Sequence, residues 1–165
     1  MASVSPPTAV TLLAFLYVVG LPLLVFLHEF GHAAVALALT DSPIRIALGD
    51  DPEPLVTVGR LTVSASFLSG WIGFSHAEGE MRPTERAAYA LAGPAVSLAV
   101  CLTAFGLVRG GVGDPRIALV LEAVALGAGW QFLVTAAPVR YPEWWTDAYA
   151  GHSSDGHRAL RALRG

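Results

Sequence analysis

Charged residues are scarce in this sequence. Only 14% of the 165 residues are charged, against about 25% in a typical soluble domain, while 54% are apolar and the mean hydropathy is +0.57. So little polar surface argues against a freely soluble protein, and the apolar content excludes disorder. The formal net charge of −3 provides no basic patch, so we expect no nucleic-acid partner.

Lysine is absent, and cysteine occurs only once, as Cys101. A single cysteine cannot form an internal disulfide, and it excludes a metal site built from several cysteines. Its position in an apolar run favours a small buried hydrophobic residue. Residues 1–8 also lack the basic residue that a signal peptide requires, so we interpret the apolar stretch 9–27 as a retained membrane helix.

Long apolar segments dominate the chain and predict a mainly α-helical, single-domain membrane protein. Three transmembrane helices of the ~20 residues or more that a bilayer core requires are expected at about 10–39, 86–108 and 117–138. The first segment is longer than a bilayer needs. Gly20 and Pro22 mark the place where we expect it to kink, tilt or break.

Residues 43–75, between the first two spans, have a different pattern. Apolar and polar residues alternate along 55–58 and 61–67, and Gly59-Arg60 stands between these stretches as a turn signal. The pattern predicts a small membrane-associated antiparallel β meander. Both alternating stretches are candidate strand edges to which an extended peptide can pair.

Two further features suggest contact with the membrane interface. Gly70 and Gly73 flank Trp71, which predicts that the meander ends at the interface, where tryptophan is favoured. After the third span, a helix-start signal and a run of arginines predict a short basic amphipathic helix at about 154–164.

The arginines, which supply all the basic charge, are distributed unevenly about the spans. Two lie between the second and third spans, at Arg109 and Arg116. Eight lie before the second span or after the third: Arg45, Arg60, Arg82, Arg86, Arg140, Arg158, Arg161 and Arg164. The positive-inside rule therefore predicts a multi-pass protein with the meander and the C-terminus in the cytoplasm and the N-terminus outside.

A metal-binding motif interrupts the first apolar segment. Residues 28–32 read H-E-F-G-H, and on a helix the imidazoles of His28 and His32 project from one face and can bind the same zinc ion. Glu29 follows the first ligand and can act as a general base towards a water at the metal. Ionisable residues inside a membrane span indicate a functional site, because their insertion is costly.

Two histidines leave a zinc site incomplete, since a catalytic site usually has three protein ligands. Asp155 lies in a polar run just past the third span, and its carboxylate is either the third ligand or a helix cap. On the residues alone these two readings are equal. The other candidates are Glu85, Glu122, Glu143, Asp147, His76, His152 and His157.

Three motifs in order resemble the site-2 protease family of intramembrane zinc metalloproteases. They are the H-E-x-x-H run in a membrane helix, the small-residue Gly-Pro run at 92–97 and the sequence T-A-A-P at 135–138, continuing to S-D-G at 154–156. The last resembles the family's Asn-x-x-Pro…Asp-Gly motif. It departs from that motif at Thr135, where the family usually has Asn.

The resemblance implies a minimal three-helix protease core, residues 1–165, in a bacterial plasma membrane. It implies that Asp155 completes the Zn²⁺ site of His28 and His32, and that the substrate is a membrane protein, cleaved in or near its transmembrane segment. Glu29 is then the catalytic base. The alternatives are a non-proteolytic metal-binding scaffold or pseudoprotease, and a different membrane zinc protease that uses Glu122 as a ligand.

Overall fold

The computed structural model describes residues 4–50, 52–66, 71–145 and 148–165. The helices are α1 (Pro6–Phe15), α2 (Leu21–Leu39), α3 (Pro83–Arg109), α4 (Pro115–Ala136) and α5 (Asp155–Arg164). The strands are β1 (Ile44–Leu48), β2 (Glu53–Val58), β3 (Leu61–Ala65) and β4 (Gly73–Ala77). The structure is therefore mainly helical with one small sheet.

Three helices are long and apolar enough to cross a membrane, as the sequence predicts. They are Pro6–Leu39, Pro83–Arg109 and Pro115–Ala136, and each begins with a proline in its first turn. Their bounds differ from the predicted ones by a few residues. Cys101 of α3 is half-buried rather than buried, and its sulfur faces Gly129 of α4.

The first long helix does not break. A π-helical turn, Leu16–Gly20, joins α1 to α2, and the N–H of Leu21 donates to the carbonyl of Leu16. Pro22 lacks an N–H, and in a regular α-helix its ring would collide with the carbonyl four residues before it. The wider turn absorbs this conflict just before the proline, so the predicted irregularity near Gly20 takes the form of a π bulge.

The sheet is mixed, and the prediction of an antiparallel meander is wrong. The strand order is β2-β3-β1-β4, with β1 parallel to β3 and antiparallel to β4. The reason is burial: Ile44, Ile46 and Leu48 of β1 pack against Ala33 and Ala36 of α2, whereas every residue of β2 is exposed. The buried strand therefore lies in the middle of the sheet, and the β2–β3 hairpin pairs beside it.

This order corrects one of the two predicted edges. The stretch 55–58 lies in β2 and is an edge, but 61–65 forms β3 in the interior of the sheet. The second edge is β4, which extends beyond the predicted meander. Phe67 and Gly70, which were assigned to the meander, lie outside the described residues.

Arg60 fastens the sheet to the end of α2. It lies in the predicted β2–β3 turn, and its guanidinium donates to the carbonyl of Thr40 and, at 3.0 Å, to that of Leu37. The last carbonyls of a helix have no partner within the helix, so this arginine satisfies two groups that would otherwise need water. These hydrogen bonds hold the sheet at the C-terminal end of α2.

Helix α5 packs at the same end of the molecule. Ala159 is buried against Ala87 and Ala90 in the first turns of α3. The sheet, the start of α3, the end of α4 and α5 therefore lie together, as the distribution of arginines predicts. Ser154 is the N-cap, and its hydroxyl accepts from the N–H of His157, so the reading of Asp155 as the cap is wrong.

Candidate metal centre

The motif of residues 28–32 lies in the middle of α2. His28, Glu29 and His32 are all buried, and one ligand atom from each lies within 4.8 Å of the others, so the group could hold a metal ion. The two imidazoles share one face of the helix, with their Nε2 atoms 3.3 Å apart. This arrangement is the one that the i, i+4 spacing predicts.

The other nitrogen of each ring has its own partner on α3. Nδ1 of His32 lies 2.6 Å from the carbonyl oxygen of Tyr89, which can only accept, so this Nδ1 carries the proton. Nε2 of a neutral His32 is then a bare lone pair. Nδ1 of His28 lies 2.9 Å from the hydroxyl of Ser97. Such partners orient the rings of metal-binding histidines.

Asp155 lies far from the two histidines in sequence but contacts the Nε2 atoms of both. Its Oδ2 lies 3.1 Å from Nε2 of His28 and 3.5 Å from Nε2 of His32. Burial raises the pKa of the Asp155 carboxyl, but the contacts with the two histidines outweigh it and hold this pKa below its usual range. The group is therefore a carboxylate at neutral pH.

The donor set fits a metal ion. Two imidazole nitrogens and a carboxylate oxygen converge in a buried place, where each could give a lone pair to a cation between them. Imidazole and carboxylate are ligands that Zn²⁺ accepts, and three protein ligands leave a fourth position open. Asp155 is thus the predicted third donor that the fold brings to the two histidines.

Gly93 leaves room at this point. A Cβ placed there would lie 2.7 Å from Nε2 of His28 and still closer to Nε2 of His32. Gly31 allows the same approach from α2, because its own Cβ would lie 2.7 Å from the carbonyl oxygen of Ala92. The two glycines therefore allow α3 to pack closely on α2, and any larger side chain at 93 would occupy the space between the imidazoles.

Hydrogen bonds between Ser154 and the chain that follows α4 hold Asp155 near the two histidines. Ser154 N–H donates to the carbonyl of Val139 at 3.0 Å, and its hydroxyl donates to the carbonyl of Ala137 at 2.5 Å. Gly156 packs so closely on Ala136 that a Cβ would overlap that residue's carbonyl. The end of α4 and the start of α5 are thus held together, although many residues separate them in sequence.

The second oxygen of Asp155 also has a partner. Oδ1 lies 3.3 Å from Nη1 of Arg158, one turn along α5, and the guanidinium lies over the ring of Tyr89 at 5.7 Å from its centroid. Arg158 therefore orients the carboxylate so that Oδ2 points at the histidines. This role had no sequence signal beyond the i, i+3 spacing on a helix.

A cavity of about 410 Å³ opens beside the donor set. Its walls come from α2, α4, β4 and the segment before α5, and Glu29 is part of its lining. Several aromatic side chains surround it: Trp71, Phe74, Trp130, Tyr141, Trp145 and Tyr149. The volume and the apolar lining with a few polar groups are typical of a site for a ligand.

Tyr149 ties the segment before α5 to the edge strand β4. Its hydroxyl accepts from the N–H of Gly73 at 3.1 Å and lies 3.4 Å from the carbonyl oxygen of the same residue. Burial raises the pKa of Tyr149 to about 12, so the phenol stays neutral. Gly73 is needed here, since a Cβ would lie 2.8 Å from Cγ of Glu29.

The other candidate ligands lie elsewhere. Glu85 pairs with Arg82 at the start of α3, at 2.5 Å. Among the described residues that line the cavity, only His152 belongs to the remaining candidates, and its ring lies beside Phe74. Four others are absent from that lining: His76, Glu122, Glu143 and His157. Asp147 lies outside the described residues.

Thr135 and Gln131 lie one turn apart near the end of α4. The hydroxyl of Thr135 donates to the backbone carbonyl of Gln131 at 2.8 Å and so is engaged within α4. The Oε1 atom of Gln131 is buried without a partner among the described residues, and the side chain lines the cavity. An unpaired buried amide is costly and marks a group available to a ligand.

Ser97 is a residue whose role the motif alone did not reveal. We expect Ser97→Ala to weaken the binding of a metal ion at this site, tested with Zn²⁺, by about 10- to 100-fold, because the imidazole of His28 loses the partner that orients it. Competition with a fluorescent zinc chelator measures the affinity. Thr103→Ala, an exposed position on the same helix, is the control and should bind as the wild type does. Equal affinity in both variants would contradict the orienting role.

Comparison of the chain with protein-family models, with curated proteins and with solved structures found no match.

Proposed function

We propose that this protein is an intramembrane zinc metalloendopeptidase of the site-2 protease kind. One observation carries the proposal: two imidazole nitrogens and the carboxylate of Asp155 converge beside Glu29, inside a helix apolar enough to cross a membrane. A non-proteolytic scaffold requires no general base, so it would have no use for the buried carboxylate of Glu29 beside these donors.

The site has a definite depth if the three apolar helices cross a bilayer. His32 precedes the end of α2 at Leu39 by about 10 Å, and Gly93 follows the start of α3 at Pro83 by about 15 Å, at ~1.5 Å per helical residue. A hydrocarbon core is about 30 Å thick. The donor set would then lie within the leaflet next to the sheet and α5, which the arginines predict to be cytoplasmic.

His28, His32 and Asp155 would hold the zinc ion. The ion, when bound, lowers the pKa of a water towards about 7 and polarises the carbonyl of the scissile peptide. The roles of the protein groups follow from their positions. The Tyr89 carbonyl and the Ser97 hydroxyl orient the two rings, and Arg158 orients the carboxylate.

Glu29 is the group that moves the proton. Its carboxylate takes a proton from the attacking water as the new C–O bond forms at the scissile carbonyl carbon. It then delivers the proton to the leaving nitrogen as the C–N bond breaks. Glu29 is buried among the groups of the proposed site, so its carboxylate would act on a water held at the metal position rather than on bulk water.

A substrate must present an extended segment, because a helix hides its peptide bonds. The edge strand β4 lines the cavity and is the edge nearest to Glu29, so it can pair with such a segment by β-addition. This replaces the expectation that the pairing edge lies at 55–58 or 61–67. The hydroxyl of Tyr149 contacts the first residue of β4 and limits how far the paired segment can extend.

The second candidate is a non-proteolytic metal-binding membrane scaffold. It shares the donor set and differs in having no use for Glu29. The third candidate, a protease with Glu122 as ligand, is disfavoured because Glu122 is exposed and absent from the lining among the described residues.

The first test is the metal content of detergent-purified protein. We expect about one zinc per chain in the wild type and its loss in His28→Ala and Asp155→Ala, because each variant removes one donor from a three-donor site. Elemental analysis by mass spectrometry measures it, and Glu122→Ala is the matched control that keeps its zinc. Zinc retained in Asp155→Ala would contradict Asp155 as the third ligand. Zinc lost in Glu122→Ala would support the candidate protease that uses Glu122 as a ligand.

The second test is proteolysis. The protein is reconstituted in liposomes with a panel of single-span membrane proteins, and products are identified by mass spectrometry. Cleavage in or near a span that stops with a chelator and returns with zinc is the expected result. A wild-type protein that holds zinc but cleaves no member of the panel would favour the scaffold.

A further inference from the structure

A second cavity, of about 640 Å³, shares Ser153 and Arg158 with the first cavity. Its walls come from α5, the first turns of α3 and the chain that follows β4. Four arginines line it: Arg86, Arg158, Arg161 and Arg164. No aspartate or glutamate side chain belongs to its lining among the described residues. Four guanidinium groups therefore face one concave space.

The charge of these arginines is largely uncompensated within the protein. Arg158 pairs with Asp155 at 3.3 Å. Within the described residues, no ion pair involves Arg86, Arg161 or Arg164. Like charges that share a cavity repel one another, and an anion bound among them would reduce this repulsion. This is unusual in a chain whose formal net charge is −3 and whose charged residues are few.

The arginines of this cavity suit an anion with several acceptor oxygens, such as phosphate. A guanidinium donates two parallel hydrogen bonds to the oxygens of a phosphate or carboxylate, and a group of arginines suits an anion with several acceptor oxygens. Arg158 and Arg161 lie one turn apart on α5, and Arg86 faces them from α3 across the cavity. An anion in the cavity can therefore contact arginines of two helices at once.

Two exposed leucines indicate the source of the phosphate. Leu160 and Leu163 are 39% and 59% exposed on α5, beside the arginines that line the cavity. A helix with basic groups next to exposed apolar groups is typical of one that lies in a membrane interface, with cations among the headgroups and apolar side chains among the acyl chains. A phospholipid presents both chemistries in that arrangement.

We infer that this cavity binds a phosphate group, and that an anionic phospholipid headgroup is its source. The inference goes beyond the proposed peptidase activity, although the lipid source rests on the apolar helices spanning a bilayer. Neither zinc nor cleavage enters the argument. Failure of the peptidase proposal would leave the phosphate site unaffected.

The test compares lipid binding by native mass spectrometry of the detergent-purified full chain. Phosphatidylglycerol is the probe, and phosphatidylcholine is the zwitterionic comparison. We expect the wild type to prefer phosphatidylglycerol, and R86Q/R161Q to bind it about 25-fold more weakly, at about a factor of five for each arginine near an anionic headgroup. The single variants R86Q and R161Q are expected to lose about fivefold each.

R45Q/R140Q is the matched control. It removes the same two charges from exposed positions that are predicted to lie on the same side of the membrane, and neither residue lines the cavity. Its affinity should stay close to that of the wild type. Equal losses in the two double variants, or equal binding of the two lipids by the wild type, would overturn the inference. Thermal unfolding followed by circular dichroism confirms that each variant is folded.

A competition arm separates the two sources of phosphate. Inorganic phosphate that displaces phosphatidylglycerol at a similar concentration would identify a soluble phosphate compound as the ligand. Phosphatidylglycerol that resists displacement would identify the lipid. Both results support a phosphate site, whereas no measurable binding of either probe above that of R86Q/R161Q would overturn it.

Discussion

Under the proposed function, replacing Glu29 by glutamine is expected to lower the rate of peptide-bond cleavage by about 10²- to 10⁴-fold, the usual contribution of a general base. Glutamine has nearly the same size as glutamate but cannot accept the proton of the attacking water. In the proposed site the three zinc donors are His28, His32 and Asp155, so zinc should stay at the wild-type level. The measurement is the cleavage rate in liposomes beside the zinc content of the same sample.

Glu122→Gln is the control for this experiment. Glu122 is an exposed carboxylate on α4, so its loss changes the charge equally and should leave the cleavage rate unchanged. A Glu29→Gln variant that cleaves as fast as the wild type would exclude Glu29 as the base. Loss of zinc together with activity would instead assign Glu29 to the ligands, which its distance from the two imidazoles permits.

Replacing Gly93 by alanine is expected to abolish zinc binding, and with it any cleavage. The added methyl group would occupy the space between the two imidazoles, 2.7 Å from Nε2 of His28. Real side-chain contacts do not reach that distance, so the rings or α3 must move and the donors no longer converge. Overpacking of this kind also destabilises a protein by about 1–3 kcal/mol. Zinc content and thermal unfolding are measured on the same preparation.

Gly106 provides the matched control on the same helix. Nothing lies within 4 Å of a Cβ at Gly106, so Gly106→Ala should keep both zinc and stability. A Gly93→Ala variant that unfolds at its normal temperature but lacks zinc would separate the loss of the site from a loss of fold. Normal zinc content in Gly93→Ala would contradict the described approach of α3 to the two histidines.

The sequence predicts those parts of the molecule that rest on local patterns. Apolar length marks the three long helices, and the i, i+4 spacing places His28 and His32 on one face with Glu29 beside them. These features need no knowledge of distant contacts. Asp155 was left undecided by the residues alone, because a carboxylate before a basic helix is equally suited to capping and to metal binding.

The sheet could not be predicted from local patterns. Period-two alternation marks strands but does not say which strands pair, and β2 and β3 alternate equally well. The pairing depends on which strand α2 buries, and that is a tertiary contact. Strand β4 was not recognised as an edge because Gly73 and Ala77 are small residues without strand preference.

The partners of the two imidazoles were also beyond local patterns. A backbone carbonyl such as that of Tyr89 has no sequence signature, and Ser97 is recognisable only once α3 lies against α2. The cavity lined by arginines could not be predicted from the sequence for the same reason. Arg86 and Arg161 belong to different segments, and only the packing of α5 on α3 brings them to one space.

The separation of the donors along the chain has a consequence for biosynthesis. His28 and Asp155 are 127 positions apart, and a ribosome adds residues from the N-terminus onwards. Under the proposed function, the first long helix therefore reaches the membrane while α5 has not yet been synthesised. During that interval the two imidazoles lack their carboxylate partner. Under the proposed function, the nascent protein is inert towards its neighbours at the insertion machinery until translation has passed α5.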